Sequence, residues 1–218
     1  MSTSPITIKV LKAGLLRVDA ETGAVLKVVP LQYNPDTVTR SFQPRGSAGD
    51  GDRVEALRLT GPPVETVTLE AELDATDALE EATARDEVLA SGLGAQLAVL
   101  ETMLYPSLTA LREANAQASL GMIEVLPAPQ PLTVFVWSRH RVTPVRITDL
   151  SVTEEAFDPK LNPIRAKISL TLRILSVDDL GFAGRGGGLY LAYQQQKETL
   201  AGLGAAGTLQ DLGLDALP

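Results

Sequence analysis

The 218-residue chain contains no cysteine. That excludes a disulfide framework, a thiolate metal site and a cysteine nucleophile, and it fits a reducing compartment. Histidine is almost as scarce: His140 is the one copy, set in the polar run Ser138-Arg139-His140-Arg141. With no second histidine, and no His-Glu-x-x-His or Gly-x-Ser-x-Gly pattern, it reads as a solvated turn residue and not as a base or a metal ligand. Basic charge is in deficit, 19 Lys and Arg against 27 Asp and Glu, for a net charge of −8. A general nucleic-acid binder needs a basic footprint, so this balance points away from DNA and RNA and towards basic protein partners. Long uncharged apolar runs are missing, and the opening MSTSPITIKV lacks the basic and apolar regions of a secretory signal. Neither a signal peptide nor direct membrane insertion is expected, which places the protein in the cytoplasm.

What the sequence has instead is alternation. Ile164, Ala166, Ile168, Leu170, Leu172 and Ile174 share one parity, while Arg165, Lys167, Ser169, Thr171 and Arg173 share the other. A period of two with one apolar and one polar face is a half-buried strand. Upstream, Val145 and Ile147 have one parity and Leu150 and Val152 the opposite, which predicts a bulge near Thr148 and Asp149. The connection Phe157 to Pro163 holds two prolines and Asn162, too much for a two-residue turn. Residues 142–175 are therefore expected to form a long antiparallel hairpin.

The rest of the chain supplies further strands and one helical insert. Residues 6–19 read as a strand or strand pair with a bulge at Gly14, and 25–33 as its return, with Pro30 confining that strand to an edge or a bulge. Asn34-Pro35 breaks the ladder before a new extended segment begins at Val38 and Phe42. Residues 43–63, with four glycines and three prolines, have the composition of an exposed loop. Residues 64–73 return to alternation. Asp77 with Glu80 resembles a capping box, and Leu97, Leu100, Leu104, Leu108 and Leu111 form a helical stripe expected to be core, with Pro106 breaking it or starting a second helix. The insert spans about 75–126, and strand resumes at Leu132 to Trp137. Beyond Leu175, Gly181, Gly184 and Gly186 to Gly188 read as a hinge before a short helix at 189–200 and a leucine-bearing tail. The order of elements is that of an antiparallel α+β domain over 1–176, with 177–218 as an arm.

No catalytic constellation emerges. Glu70, Glu72, Asp74, Asp77, Glu80, Glu81, Asp86 and Glu87 lack the ligand order of an EF-hand and read as a solvated strand edge and helix start. Gly184-Arg185-Gly186-Gly187-Gly188 lacks the Lys-Ser/Thr of a phosphate loop. No enzyme activity, cofactor or metal is expected.

Several pieces nevertheless recur in a known order: Tyr33-Asn34-Pro35 after a strand, VTLEAELDAT running into Asp74, the Leu100 to Leu104 helix, PQPLTVFVW ending at Trp137, and Phe157 followed by Asn162-Pro163-Ile164-Arg165-Ala166 before an alternating strand. Over roughly residues 5 to 175 this order resembles the tube-protein N-terminal domain of contractile injection systems. Tyr33, Ser138 and Asn162 depart from the usual Phe, Gly and Gly of that family. The chain after Leu175 is also too short and too glycine-rich to be the LysM domain that many relatives carry.

The resemblance implies a twisted antiparallel sheet or split β-barrel of phage tail-tube type. It implies a structural baseplate component of a phage-tail-like particle, a homo-hexameric ring adapting the spike and hub to the inner tube and initiating tube assembly. Expected partners are the inner-tube protein, the spike or hub protein and other baseplate subunits. Assembly contacts are expected at Tyr33, Asn34 and Pro35, in the 43–63 loop with Arg58, and at Phe157, Asn162, Pro163 and Arg165. Residues 189–217, a short helix and tail, are expected to dock on a neighbouring baseplate subunit. Two other readings fit the residues: an ordinary inner-tube subunit, and a β-rich ligand-binding domain.

Overall fold

The computed structural model describes residues 11–46, 58–76, 90–121, 130–204 and 207–216. Its strands are β1 (Gly14–Val18), β2 (Val25–Pro30), β3 (Val38–Gly46), β4 (Leu59–Asp74), β5 (Leu132–Ser138), β6 (Arg141–Phe157) and β7 (Pro163–Ile174). All pairings are antiparallel, in the order β2-β1-β5-β6-β7-β4-β3. The helices are α1 (Gly94–Glu101), α2 (Leu108–Ser119), α3 (Val177–Leu180) and α4 (Arg185–Leu203), with a 3-10 turn at Leu209–Leu212. None is long and apolar enough to cross a membrane among the described residues.

The expected hairpin is the spine of the sheet. Ala166, Ile168, Leu170, Leu172 and Ile174 of β7 are all buried, and each large apolar side chain so buried contributes about 1.5–3 kcal/mol. The register of β6 slips between Ile147 and Asp149, where the parity change required it. The slip returns Leu150 and Val152 to the face already occupied by Val145 and Ile147. Pro30 closes β2 at the sheet edge, as its missing donor demands.

Three expectations are corrected. Gly14 is not a bulge: it opens β1, and the register shift lies between Arg17 and Val18. Its role is close approach, since a Cβ there would sit 2.5 Å from the carbonyl oxygen of Val29. The start of the predicted strand, before residue 11, lies outside the described residues. The 43–63 segment is not loop at its described ends, because β3 continues to Gly46 and β4 begins at Leu59. Pro62 and Pro63 are tolerated there because this part of β4 overhangs β7, whose pairing starts at Thr66, and sits at a register shift against β3. The glycine run is not a hinge either. It begins α4, with Gly186 and Gly187 buried, and a Cβ on Gly187 would run into the backbone carbonyl oxygen of Gly181 after α3. Glycine is required by helix contact rather than by flexibility, and Tyr190 and Tyr193 lie in the same core as the sheet.

The helical insert is likewise divided. Leu97 and Leu100 of α1 are buried, but Leu104, Leu108 and Leu111 are exposed and α2 buries nothing among the described residues. Pro106 does separate the two helices, with Ser107 accepting a hydrogen bond from the backbone N–H of Ala110 as N-cap. Residues 77–89, including the suggested capping box, lie outside the described residues, as do 122–129.

Successive strands β2 and β3 occupy opposite edges, joined by residues 31–37. Consecutive residues of that connection reach both sides of the sheet, Leu31 N–H donating to the Ala13 carbonyl before β1 at 2.8 Å and Gln32 bonding Asp74 at the end of β4, although a flat sheet would set β1 and β4 four strands, about 19 Å, apart. The sheet is accordingly curled. Gln32 ties the curl, its side-chain amide donating to the Asp74 carbonyl at 2.7 Å and accepting from the Asp74 N–H at 2.8 Å.

Candidate assembly surfaces

The Tyr33-Asn34-Pro35 segment is held by its amides. Asn34 Oδ1 accepts from the Ala13 N–H at 2.9 Å, and Asn34 Nδ2 donates to the Leu11 carbonyl at 2.8 Å. Asn34 is thus a structural bracket between the crossing segment and the chain leading into β1. Tyr33 is exposed and stands on the rim of a groove of about 610 Å³, walled by residues 33–37 and floored by β4, β6 and β7. Tyr33 also borders a smaller recess with Asp74 and Arg165. The fold therefore brings the first expected contact segment beside the last residue of the second.

That second segment is the β6–β7 tip, built around Asp158. Its carboxylate accepts from the backbone N–H of Lys160 at 2.7 Å, the N–H of Asn162 at 2.9 Å and Asn162 Nδ2 at 2.8 Å. The Asn162 hydrogen bonds, backbone first, hold the Asp158 carboxyl below its ordinary range. The tip is rigid and strained: Ala156 and Leu161 have φ of 52° and 67°, a region that L side chains avoid. Leu161 is 79% exposed and Phe157 half-exposed. Behind them, the Pro163 carbonyl accepts from the Leu93 N–H at 2.8 Å, anchoring the insert to the tip. Gly92, at φ +56°, is fixed by the same contact, since a Cβ there would run into the Pro163 carbonyl oxygen. Arg165 donates to Asp74 Oδ2 through Nε at 3.1 Å and Nη2 at 2.9 Å. Asp74 is held below the ordinary range first by the Thr76 hydroxyl and backbone, then by Arg165. Arg58 does not join this group. It adjoins the opposite end of β4, about 50 Å of strand from Asp74, and is exposed.

Two features escaped the sequence. One is a buried carboxylate, Glu65, 3% exposed, where β4 meets α4. Arg40 donates to its Oε1 from Nε at 3.0 Å and Nη2 at 2.8 Å, Tyr193 Oη donates to Oε1 at 2.8 Å, and Lys197 Nζ reaches Oε2 at 2.8 Å. Burial alone pushes the Glu65 carboxyl up, but the hydrogen bonds from Lys197, Arg40 and Tyr193 outweigh it and hold it below the ordinary glutamate range. Burial and the bond to Glu65 raise the Tyr193 hydroxyl. The only sequence signal was an acidic residue on the apolar parity of a strand.

The other is a division of the outer sheet face, the one opposite the core that holds Leu15, Phe135 and β7. Directly opposed residues share a face. Across β2, β1 and β5 its rows are Val25-Val18-Leu132, Val28-Leu16-Val134 and Pro30-Gly14-Val136, all apolar apart from the glycine. Across β3, β4, β7 and β6 they are Ser41-Thr66-Arg173-Arg146, Thr39-Thr68-Thr171-Asp149 and, where β3 has ended, Glu70-Ser169-Ser151. Helices α3 and α4 cover part of the apolar half through Leu180 and Leu189, but Val25 and Val28 stay exposed.

His140 lies exposed in the β5–β6 turn, and no group of three potential metal ligands occurs among the described residues.

No family model matches the chain, and no curated protein matches it. Among solved structures it is similar to a chain in the tail of an empty gene transfer agent particle refined with C6 symmetry, at 8% identity over 74% of this chain and 90% of that one, TM-score 0.28. A chain from the virion of the native gene transfer agent particle is similar at 9% identity over 74% and 95%, TM-score 0.25. Overlaps this low leave the fold to be described by the chain's own strands.

Proposed function

We propose that the chain is a structural subunit of a phage-tail-like particle, forming a ring at the baseplate that adapts the spike or hub to the inner tube and starts tube assembly. The observation that carries this reading is an antiparallel sheet whose edges, β2 and β3, are unpaired among the described residues, ending in a strained and preorganised tip. Unpaired edges that carry apolar side chains are stable in solution only when blunted or covered, and copies closing into a ring cover them. The ordered motifs at Tyr33, Asp74, Trp137 and Phe157 to Ala166 support the same class. In this reading the curl tied by Gln32 is the split-barrel form of the sheet, the tip and the Tyr33 groove meet neighbouring rings, and the subunit does no chemistry of its own. Assembly takes place in the cytoplasm, with hub and tube proteins as partners.

Tagging the protein in its native host and counting copies per purified particle by mass spectrometry tests this. About six copies confined to the spike end is the expectation for one cyclic ring. Label along the whole tube makes it an ordinary tube subunit, and absence from particles removes the tail reading altogether.

A further inference from the structure

The apolar half of the outer face and the C-terminal arm have matching surfaces. On β2, Val25, Leu26 and Val28 are each more than half exposed, beside rows of valine and leucine that continue into β1 and β5. Lys27 is the one charged residue of that strand, and it too is exposed. The arm after α4 exposes Leu209, Leu212 and Leu214. From Gly204 to Pro218 it carries Asp211 and Asp215 and no cation. Apolar side chains thus stand against apolar side chains, and two anions against one cation. The other exposed leucine stripe, on α2, carries Arg112 and Glu113 together and offers no such charge match.

Within one copy the two surfaces do not cover each other: Val28 is 60% and Leu212 75% exposed. Helix α4 starts beside β2, where Arg185 donates to the Thr22 carbonyl at 3.1 Å in the β1–β2 turn. Its 19 residues, at 1.5 Å each, carry the far end about 27 Å away. Lys197, near that end, is tied to Glu65 on β4, so the arm leaves about one helix length from the β1–β2 turn.

We propose that residues 207–216 of one copy dock on the β2 edge and the apolar outer face of a second copy. The arm covers the side chains that β2 leaves in water, and Lys27 selects it by charge. This needs only two copies of this chain and does not depend on the tail reading.

The cysteine-free sequence makes the test clean. Purified full-length Val28→Cys and Leu212→Cys chains are mixed under mild oxidation and resolved on a non-reducing gel. The expected result is a crosslinked dimer at least tenfold more abundant in the mixture than in either variant alone. Adding Lys27→Glu to the first chain should reduce it severalfold, and adding Asp215→Lys to the second should restore it. A dimer of Val28→Cys alone would make β2 pair with β2, and a dimer of Leu212→Cys alone would make arm meet arm; either overturns the proposal. So does the absence of any dimer when circular dichroism shows both variants folded. None of these outcomes alters the copy number in particles, so failure here and failure of the tail reading remain distinguishable.

Discussion

The two halves of the outer sheet face share one backbone ladder and differ in almost everything else. On β2, β1 and β5 the rows are valine, leucine and proline; on β6, β7, β4 and β3 they are serine, threonine and charged residues. Cross-strand pairing tolerates both, because either kind of neighbour is worth only fractions of a kcal/mol at the surface. The difference is what each half asks of its surroundings. Hydroxyls are satisfied by water, whereas exposed valines on an edge strand gain from being covered. Helix α4 touches both faces of the sheet, through Leu189 over the apolar outer rows and through Glu65 on the core face of β4.

The largest predicted effect cuts that link. Glu65→Ala leaves Arg40 and Lys197 without their shared anion and should cost about 3 kcal/mol, read from urea unfolding; a loss below 1 kcal/mol would mean α4 is held by its tyrosines alone. The same carboxylate sets an acid limit. Because its folded pKa lies below the ordinary value, its contribution is present above the unfolded glutamate range and is lost as pH falls through the folded pKa. Glu65→Gln should be less stable than wild type at neutral pH and should lose part of the wild-type decline on acidification. Parallel slopes for the two proteins would assign that decline to other groups.

Next comes the contrast itself. Val134→Ala, in the covered part of the apolar half, should cost about 2 kcal/mol. Thr171→Ala in the hydroxyl half should stay within about 0.5 kcal/mol. Equal costs would erase the distinction between the halves. At the tip, Leu161→Gly should raise the stability of the isolated chain by about 1 kcal/mol, since glycine accepts a φ of 67°. A thermal midpoint unchanged or lowered would show that the tip is unstrained. The smallest effect on stability should come from Val28→Thr, within about 0.5 kcal/mol, but this change extends the hydroxyl character onto β2 and should reduce self-association measured by sedimentation. Undiminished self-association would separate it from the apolar half.

Many of the strands were legible because their signals were local. The parity change between Ile147 and Leu150 announced the β6 bulge, and Pro30 announced an edge. The glycines at 184–188 misled because composition reports conformational freedom and not contact. Only the packed structure shows the Gly181 carbonyl against Gly187. The leucines at 104, 108 and 111 misled for the complementary reason: helical spacing specifies a face and does not specify whether anything lies against it. Of the expected contact residues, Tyr33 and Arg165 proved to be neighbours 132 positions apart in number, a proximity created by the curl that Gln32 ties. Arg58 shared a loop-like composition with its surroundings but lies at the other end of β4.

The sequence by itself determined where most of the strands lie, where β6 must slip, that Pro30 confines its strand to an edge or a bulge, and that no cysteine chemistry is on offer, because period, parity and composition act over a few residues. Tertiary structure alone decided that Glu65 gathers two cations and a tyrosine from β3 and α4, that the outer face divides into apolar and hydroxyl halves, and that the arm departs about one helix length from the β1–β2 turn. Those depend on which strands become neighbours, and strand order is set by contacts between segments far apart in the chain, to which no local pattern refers.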